Sequence, residues 1–165
     1  KEIAVEFHSL SKSFNMAGCR IGFLAGRSDI VSALRKLKGN IDYGVFKAVQ
    51  HAAIAALDED MRRTGSPVGA VYQQRRDRFL ARLAEFGWHI RPSEATMFVW
   101  AEVPSGWTSR HISREMLRHT GVAVIPGDAF GQEGKGYVRI ALVQEEDRLL
   151  EAAGRIGQFL QDHRP

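Results

Sequence analysis

The sequence predicts an α/β chain in two parts, the second an α+β layer in which helices cover a small sheet. Three observations carry this. Short runs rich in Ile, Val and Phe alternate with stretches whose apolar residues recur at helical spacing, so strands and amphipathic helices follow one another. The acidic run Asp58-Glu59-Asp60 and the breaker cluster Thr64-Gly65-Ser66-Pro67 divide the chain. From residue 68 onward the order reads helix–β–β–helix–β–β–helix. At 165 residues and 44% apolar, the chain is long enough to bury a core.

Residues 3–7 read as a strand and 9–18 as a loop or short helical turn. A second strand, 20–25, closes at Gly26. Ser28-Asp29 then signals an N-cap for a helix over 30–38, with Ile30, Leu34 and Leu37 on one face. Gly39-Asn40 is expected to end it, and 41–44 to connect to a helix over 45–57. That helix carries Ala48, Ala52, Ala53, Ala55 and Ala56, small enough for close packing on both sides, so burial is expected.

In the second part a helix over 71–86 aligns Phe79, Leu83 and Phe86, with Gly87 as its cap. A short strand over 88–91, a longer one over 96–103 and a helix over 109–119 follow. Strand 122–125, a glycine-bearing loop over 126–136 and strand 137–143 come next. The closing helix, 145–160, is expected to bury Leu149, Ala153, Ile156 and Leu160.

Charge and composition narrow the function classes. The net charge of +4 is spread along the chain. Its densest basic cluster (Arg75, Arg76, Arg78, Arg82) lies beside Asp77 and Glu85 and reads as a solvated helix face, so no nucleic-acid partner is expected. No stretch approaches the roughly 20 apolar residues of a membrane span, and no secretory leader pattern is seen at the start. The single cysteine, Cys19, cannot form an internal disulfide, which fits a reducing cytoplasm. The histidines lack metal spacing, so no metal is expected.

Chemistry concentrates in Phe7-His8-Ser9-Leu10-Ser11-Lys12-Ser13-Phe14-Asn15-Met16-Ala17-Gly18-Cys19-Arg20-Ile21-Gly22. A lysine partly withdrawn from water beside another cation can act as an amine nucleophile toward a carbonyl. Serine hydroxyls and Arg20 suit a phosphate monoester. Together they suggest a site for a phosphorylated aldehyde. The alternative is a solvated serine-rich turn. A third reading takes Ser9-Leu10-Ser11-Lys12 as the S-x-x-K motif of acyl enzymes, with Ser9 as nucleophile. The downstream elements that motif requires are poorly met by Lys38-Gly39-Asn40 and Lys135-Gly136-Tyr137. The glycine-bearing loop runs into a strand rather than a helix, which favours a structural turn over a phosphate loop. Arg139, among apolar neighbours, either snorkels to the surface or binds a carboxylate bidentately.

Ser-Leu-Ser-Lys-Ser-Phe-Asn-Met-Ala-Gly-Cys-Arg-Ile-Gly resembles the cofactor-lysine motif of fold-type I, class I/II aminotransferases. Thr96-Met97-Phe98-Val99-Trp100, then Val124-Ile125-Pro126-Gly127 with Phe130-Gly131, then Tyr137-Val138-Arg139-Ile140-Ala141 are similar to later parts of that family, in the same order. Asn40-Ile41-Asp42-Tyr43-Gly44-Val45-Phe46 and the stretch before Lys12 resemble the LL-diaminopimelate and N-succinyldiaminopimelate aminotransferase branch. The resemblance implies pyridoxal 5′-phosphate as cofactor, amino acid and 2-oxo acid substrates, and a homodimer. It implies that Lys12 forms the Schiff base and then serves as general base, and that Ser9, Arg20 and, as an accessory, Ser11 bind the cofactor phosphate. Arg139 would clamp the substrate α-carboxylate, and Tyr43, in segment 42–47, would reach the neighbouring subunit's site.

The resemblance also implies an incomplete chain. The family's acid for the pyridine nitrogen, its ring-stacking aromatic and its Asn and Tyr near the phenolic oxygen lie upstream of the lysine. The chain starts at Lys1 without an initiator Met, so the expectation is a C-terminal piece. Residues 1–60 would be a remnant of the large cofactor-binding domain, 61–67 a linker and 68–165 the small domain. Such a piece alone is expected to be a poor catalyst or none and to self-associate through residues 1–60 by exposed strand edges; the alternative is a non-catalytic interaction module in which the small domain survives as a folded binding unit.

Overall fold

The computed structural model describes residues 2–163. Lys1, where the expected piece begins, lies outside the described residues, as do Arg164 and Pro165 at the end of the expected 68–165 part. Two compact units result, Lys1–Gly69 and Ala70–Pro165.

In the first unit, strands β1 (Val5–Ser9) and β2 (Gly22–Gly26) pair antiparallel, from Val5 opposite Gly26 to Ser9 opposite Gly22. Both begin two residues later than expected. Arg20 is not extended but left-handed, at φ 50° and ψ 51°. Glycine is needed where the backbones meet: a Cβ on Gly26, at φ 133°, would stand 2.8 Å from Val5 Cα. Between the strands lie helix α1 (Leu10–Ser13) and a 3-10 turn, Ala17–Cys19.

Helices α2 (Ser28–Ile41) and α3 (Lys47–Arg62) follow, both longer than expected. Gly39-Asn40 does not end α2. A glycine inside a helix costs only about 1 kcal/mol, and Asn40 spends its amide on Lys36 O at 2.8 Å within the helix. The expected Ser28 cap is absent; Arg27 occupies the N-cap without capping the helix amides, its Nε instead donating to the Asp29 carboxylate at 2.7 Å. The acidic run lies inside α3, where Glu59 accepts from Arg63 Nε one turn on, at 2.6 Å. Of the five alanines only Ala53 is buried, which corrects the expected burial of the whole run.

Helix α4 spans Pro67–Ala84, starting earlier than expected because Pro67 fits a first helical turn, where its missing N–H is not needed. Ser66 Oγ accepts from the Gly69 N–H at 3.1 Å. The second unit continues with β3 (Phe98–Glu102), α5 (Ser109–Thr120), β4 (Ile125–Pro126), β5 (Tyr137–Ala141) and α6 (Glu146–Asp162). The strands pair antiparallel in the order β3-β5-β4. Val99, Ala101, Val138 and Ile140 point from the sheet into one core with Phe79 and Leu83 of α4, Ile112 and Met116 of α5, and Ala153 and Ile156 of α6.

Residues 88–91 form no strand. Trp88 is buried, and its indole N–H, rather than its backbone, takes the Glu102 carbonyl at 2.9 Å. β3 begins at Phe98 because Thr96 sits at φ 76°, outside the extended region. On α6 Phe159 is buried and Leu160 only half-buried. The arginines of α4 are not a freely solvated face. Arg75 donates to Leu142 O and to Glu145, Arg76 to Ser93 O, and Arg78 pairs with Glu146, tying α4 to the start of α6 and the approach to β3.

Candidate functional site

The β1–β2 pairing sets Ser9 opposite Gly22, and the Leu10 N–H donates to Ile21 O at 3.2 Å, so the two ends of segment 10–21 meet. Leu10, 1% exposed, anchors the segment. Ser9, extended at φ −130° and ψ 133°, caps α1, its Oγ accepting the Ser11 N–H at 3.2 Å. Lys12 follows in that single turn, exposed, with Ser11 half-buried. The Phe14 and Met16 N–H groups both donate to Leu10 O, at 3.2 and 3.3 Å, folding the chain back toward β2.

Arg20 then turns left-handed, its Nη1 donating to Ala17 O at 3.0 Å. Among the described residues, the non-glycine positions with positive φ are Asn15, Arg20, Tyr43 and Thr96. For a side chain such as arginine this backbone costs about 1–2 kcal/mol, and strain of this kind gathers at functional sites. Ser9, Ser11, Lys12 and Arg20 are thus carried by one excursion whose ends are pinned together. Two hydroxyls, a guanidinium and a primary amine form a donor set that fits a phosphorylated aldehyde.

Tyr43, 92% exposed at φ 56°, stands on the turn after α2. The Asp42 carboxylate holds that turn, accepting from Lys38 Nζ at 2.6 Å and from the Gly44 N–H at 3.0 Å. The Lys38 hydrogen bond first, then the Gly44 amide, lower the Asp42 pKa below its ordinary 3.8. A carboxyl whose folded pKa lies below its unfolded one stabilises the fold above the unfolded value and loses that contribution as pH falls through the folded one. The protection factor of the Gly44 amide, its exchange rate by NMR relative to an unstructured amide at the same pH, is therefore expected to fall as pH drops below about 4, and Asp42→Asn to remove that fall. Tyr43 borders a cleft of about 730 Å³ that Leu10, Phe23, Arg35, Lys38 and Ile54 also line. Arg35 and Lys38, three apart on α2, both line this cleft, with the Lys38 amine spent on Asp42.

Arg139 belongs to the second unit. On β5 it lies opposite Trp100 of β3 and Ile125 of β4. Its guanidinium stands 4.3 Å from the Phe98 ring centroid and 4.5 Å from that of Phe130. Among the described residues no carboxylate or carbonyl takes its side-chain N–H groups. The glycine-bearing loop is a structural turn: Gly127 and Gly134 press backbone on backbone, and a Cβ on Gly127 would stand 2.8 Å from Tyr137 O. His111 stacks on Trp107 at 5.0 Å and His119 on Phe159 at 5.7 Å. Among the described residues no group of three or more His, Cys, Asp or Glu could hold a metal ion, and no helix is long and apolar enough to cross a membrane.

A family model described as aminotransferase class I and II matches residues 1–156, and the chain belongs to that family. It is similar to the LL-diaminopimelate aminotransferase of Moorella thermoacetica, 43% identical over 160 residues that make up 97% of this chain and 41% of that protein. LL-diaminopimelate aminotransferase 2 of Trichormus variabilis is 48% identical over 156 residues, 94% of this chain and 40% of that one. Among solved structures, a probable N-succinyldiaminopimelate aminotransferase from Thermus thermophilus superposes with a TM-score of 0.81 at 38% identity, covering 94% of this chain and 42% of that one. The chain thus spans about two fifths of the length of the relatives it matches.

Proposed function

We propose that the protein carrying this chain transfers an amino group between an amino acid and a 2-oxo acid, with pyridoxal 5′-phosphate as carrier. The observation that carries the reading is the placing of Lys12 on a turn capped by Ser9 and closed by Arg20, inside the segment matched to the aminotransferase family. The hydroxyls of Ser9 and Ser11 donate to the cofactor phosphate, and Arg20 neutralises it. Lys12 would hold the cofactor at its aldehyde group, and its Nζ would serve as the base that takes the proton from the substrate Cα. When bound, the cofactor draws electron density from Cα and so stabilises the charge left by that proton. Arg139 receives the α-carboxylate through two parallel N–H bonds.

The named relatives support a diaminopimelate-type amino acid as substrate; a homodimer in which Tyr43 reaches the neighbouring subunit's site and a cytoplasmic setting belong to the same proposal. The change of compact unit at Gly69 supports a division into a cofactor-domain part (1–60), a linker (61–67) and a small domain (68–165). Borohydride reduction of the cofactor-loaded protein, followed by peptide mapping, is expected to find the label on Lys12. A label on any other lysine would remove Lys12 from this role.

A further inference from the structure

We propose that Phe98 and Phe130 are positioning residues that clamp the Arg139 guanidinium between their ring faces and so aim its N–H edge at a carboxylate, an inference that rests on Arg139 receiving the substrate carboxylate. Both centroid distances, 4.3 and 4.5 Å, lie inside the range of about 6 Å over which a ring face attracts a cation. A guanidinium held by ring faces through its π surface leaves its in-plane N–H groups for hydrogen bonds, and those are the groups that bind a carboxylate bidentately. Clamping also removes rotamer freedom that an unsupported arginine would lose on binding.

Each ring is held by its own device. Phe98 shares a face of β3 with Trp100, the direct partner of Arg139, so Phe98 is a diagonal neighbour within reach of a long side chain. The strand's start is fixed by Thr96 at φ 76°, whose Oγ1 accepts the Phe98 N–H at 3.0 Å, and by Ser93 Oγ, which donates to Phe98 O at 2.9 Å. Phe130 ends the 3-10 turn Gly127–Phe130 and meets Trp100 edge-on at 5.8 Å, while Trp100 stacks on Tyr137 at 5.6 Å. Within the same turn Asp128 accepts from Arg110 Nε at 2.5 Å. Phe130 is 52% exposed. Core packing therefore does not account for its position, and its replacement opens no cavity.

The test uses the holoenzyme with Phe130→Leu, Phe130→Tyr and Arg139→Ala, and two readouts. In arginine-¹⁵N-labelled protein the Arg139 Nε–H resonance is expected to lie upfield, shielded by the two rings, and to move toward its ordinary position in Phe130→Leu. In steady-state kinetics Phe130→Leu is expected to raise KM for the amino acid roughly three- to tenfold with kcat unchanged, and Phe130→Tyr, which keeps the ring face, to restore the wild-type KM. If Arg139→Ala raises KM but Phe130→Leu leaves both KM and the resonance unmoved, the clamp is overturned and the carboxylate role of Arg139 stands. If Arg139→Ala leaves KM unmoved, the carboxylate role falls and the clamp's purpose with it.

Discussion

Lys12→Ala is expected to slow amino transfer by the holoenzyme about 10²- to 10⁴-fold, the usual worth of a positioned general base. Lys12 is the sole lysine of segment 10–21, so no neighbouring amine on that excursion can replace it. The substitution should leave the backbone intact, because the turn is fixed by the Ser9 cap and by buried Leu10 rather than by the lysine side chain. Single-turnover rates with and without an added small primary amine separate the possible causes. Partial recovery with the amine identifies a missing base. A wild-type rate without it would assign proton transfer to another group.

Phe79→Ala is expected to destabilise the second unit by about 3–5 kcal/mol, the range for removing a large buried aromatic side chain. Phe79 is 1% exposed and belongs to the core that α4, α5 and α6 build against the sheet. The urea midpoint, followed by the fluorescence of Trp88, Trp100 and Trp107, all in the second unit, measures the loss. Phe7→Ala serves as the matched control, since that ring is exposed and a surface change of this kind stays within about 0.5 kcal/mol. A midpoint shift no larger than the control's would mean that the core closes around the missing ring.

Helices that face a core were legible because burial imposes a period. Phe79 with Leu83 on α4, and Leu149, Ala153 and Ile156 on α6, are buried at the spacing their sequence shows. Boundaries set by other forces were not. Gly39-Asn40 looks like a stop but is carried by α2, and Asp58-Glu59-Asp60 looks like a break but lies within α3, where Glu59 pairs with Arg63 at the helix end. The segment 88–91 has strand-like residues, yet its tryptophan side chain takes the carbonyl that strand pairing would have used. At the site, Ser9, Ser11, Lys12 and Arg20 were singled out by the family resemblance of their stretch, and they lie on one excursion between β1 and β2. The left-handed backbone at Arg20 and Tyr43 could not be read, since neither side chain signals it. The rings around Arg139 were also hidden: Phe98 arrives across a strand pair and Phe130 from a loop.

Burial is unequal between the two units, and this bears on how damage near Lys12 can be detected. Among the described residues, the buried apolar side chains of the first unit are Leu10 and Ala53, whereas the rest of the buried apolar residues lie in the second. The heat-capacity change of unfolding follows the apolar surface newly exposed to water. The heat-capacity step of unfolding therefore comes chiefly from the second unit, and the first unit adds little to it. A variant can keep its melting temperature while losing the geometry of the lysine turn, so melting temperature is a poor gauge of that turn.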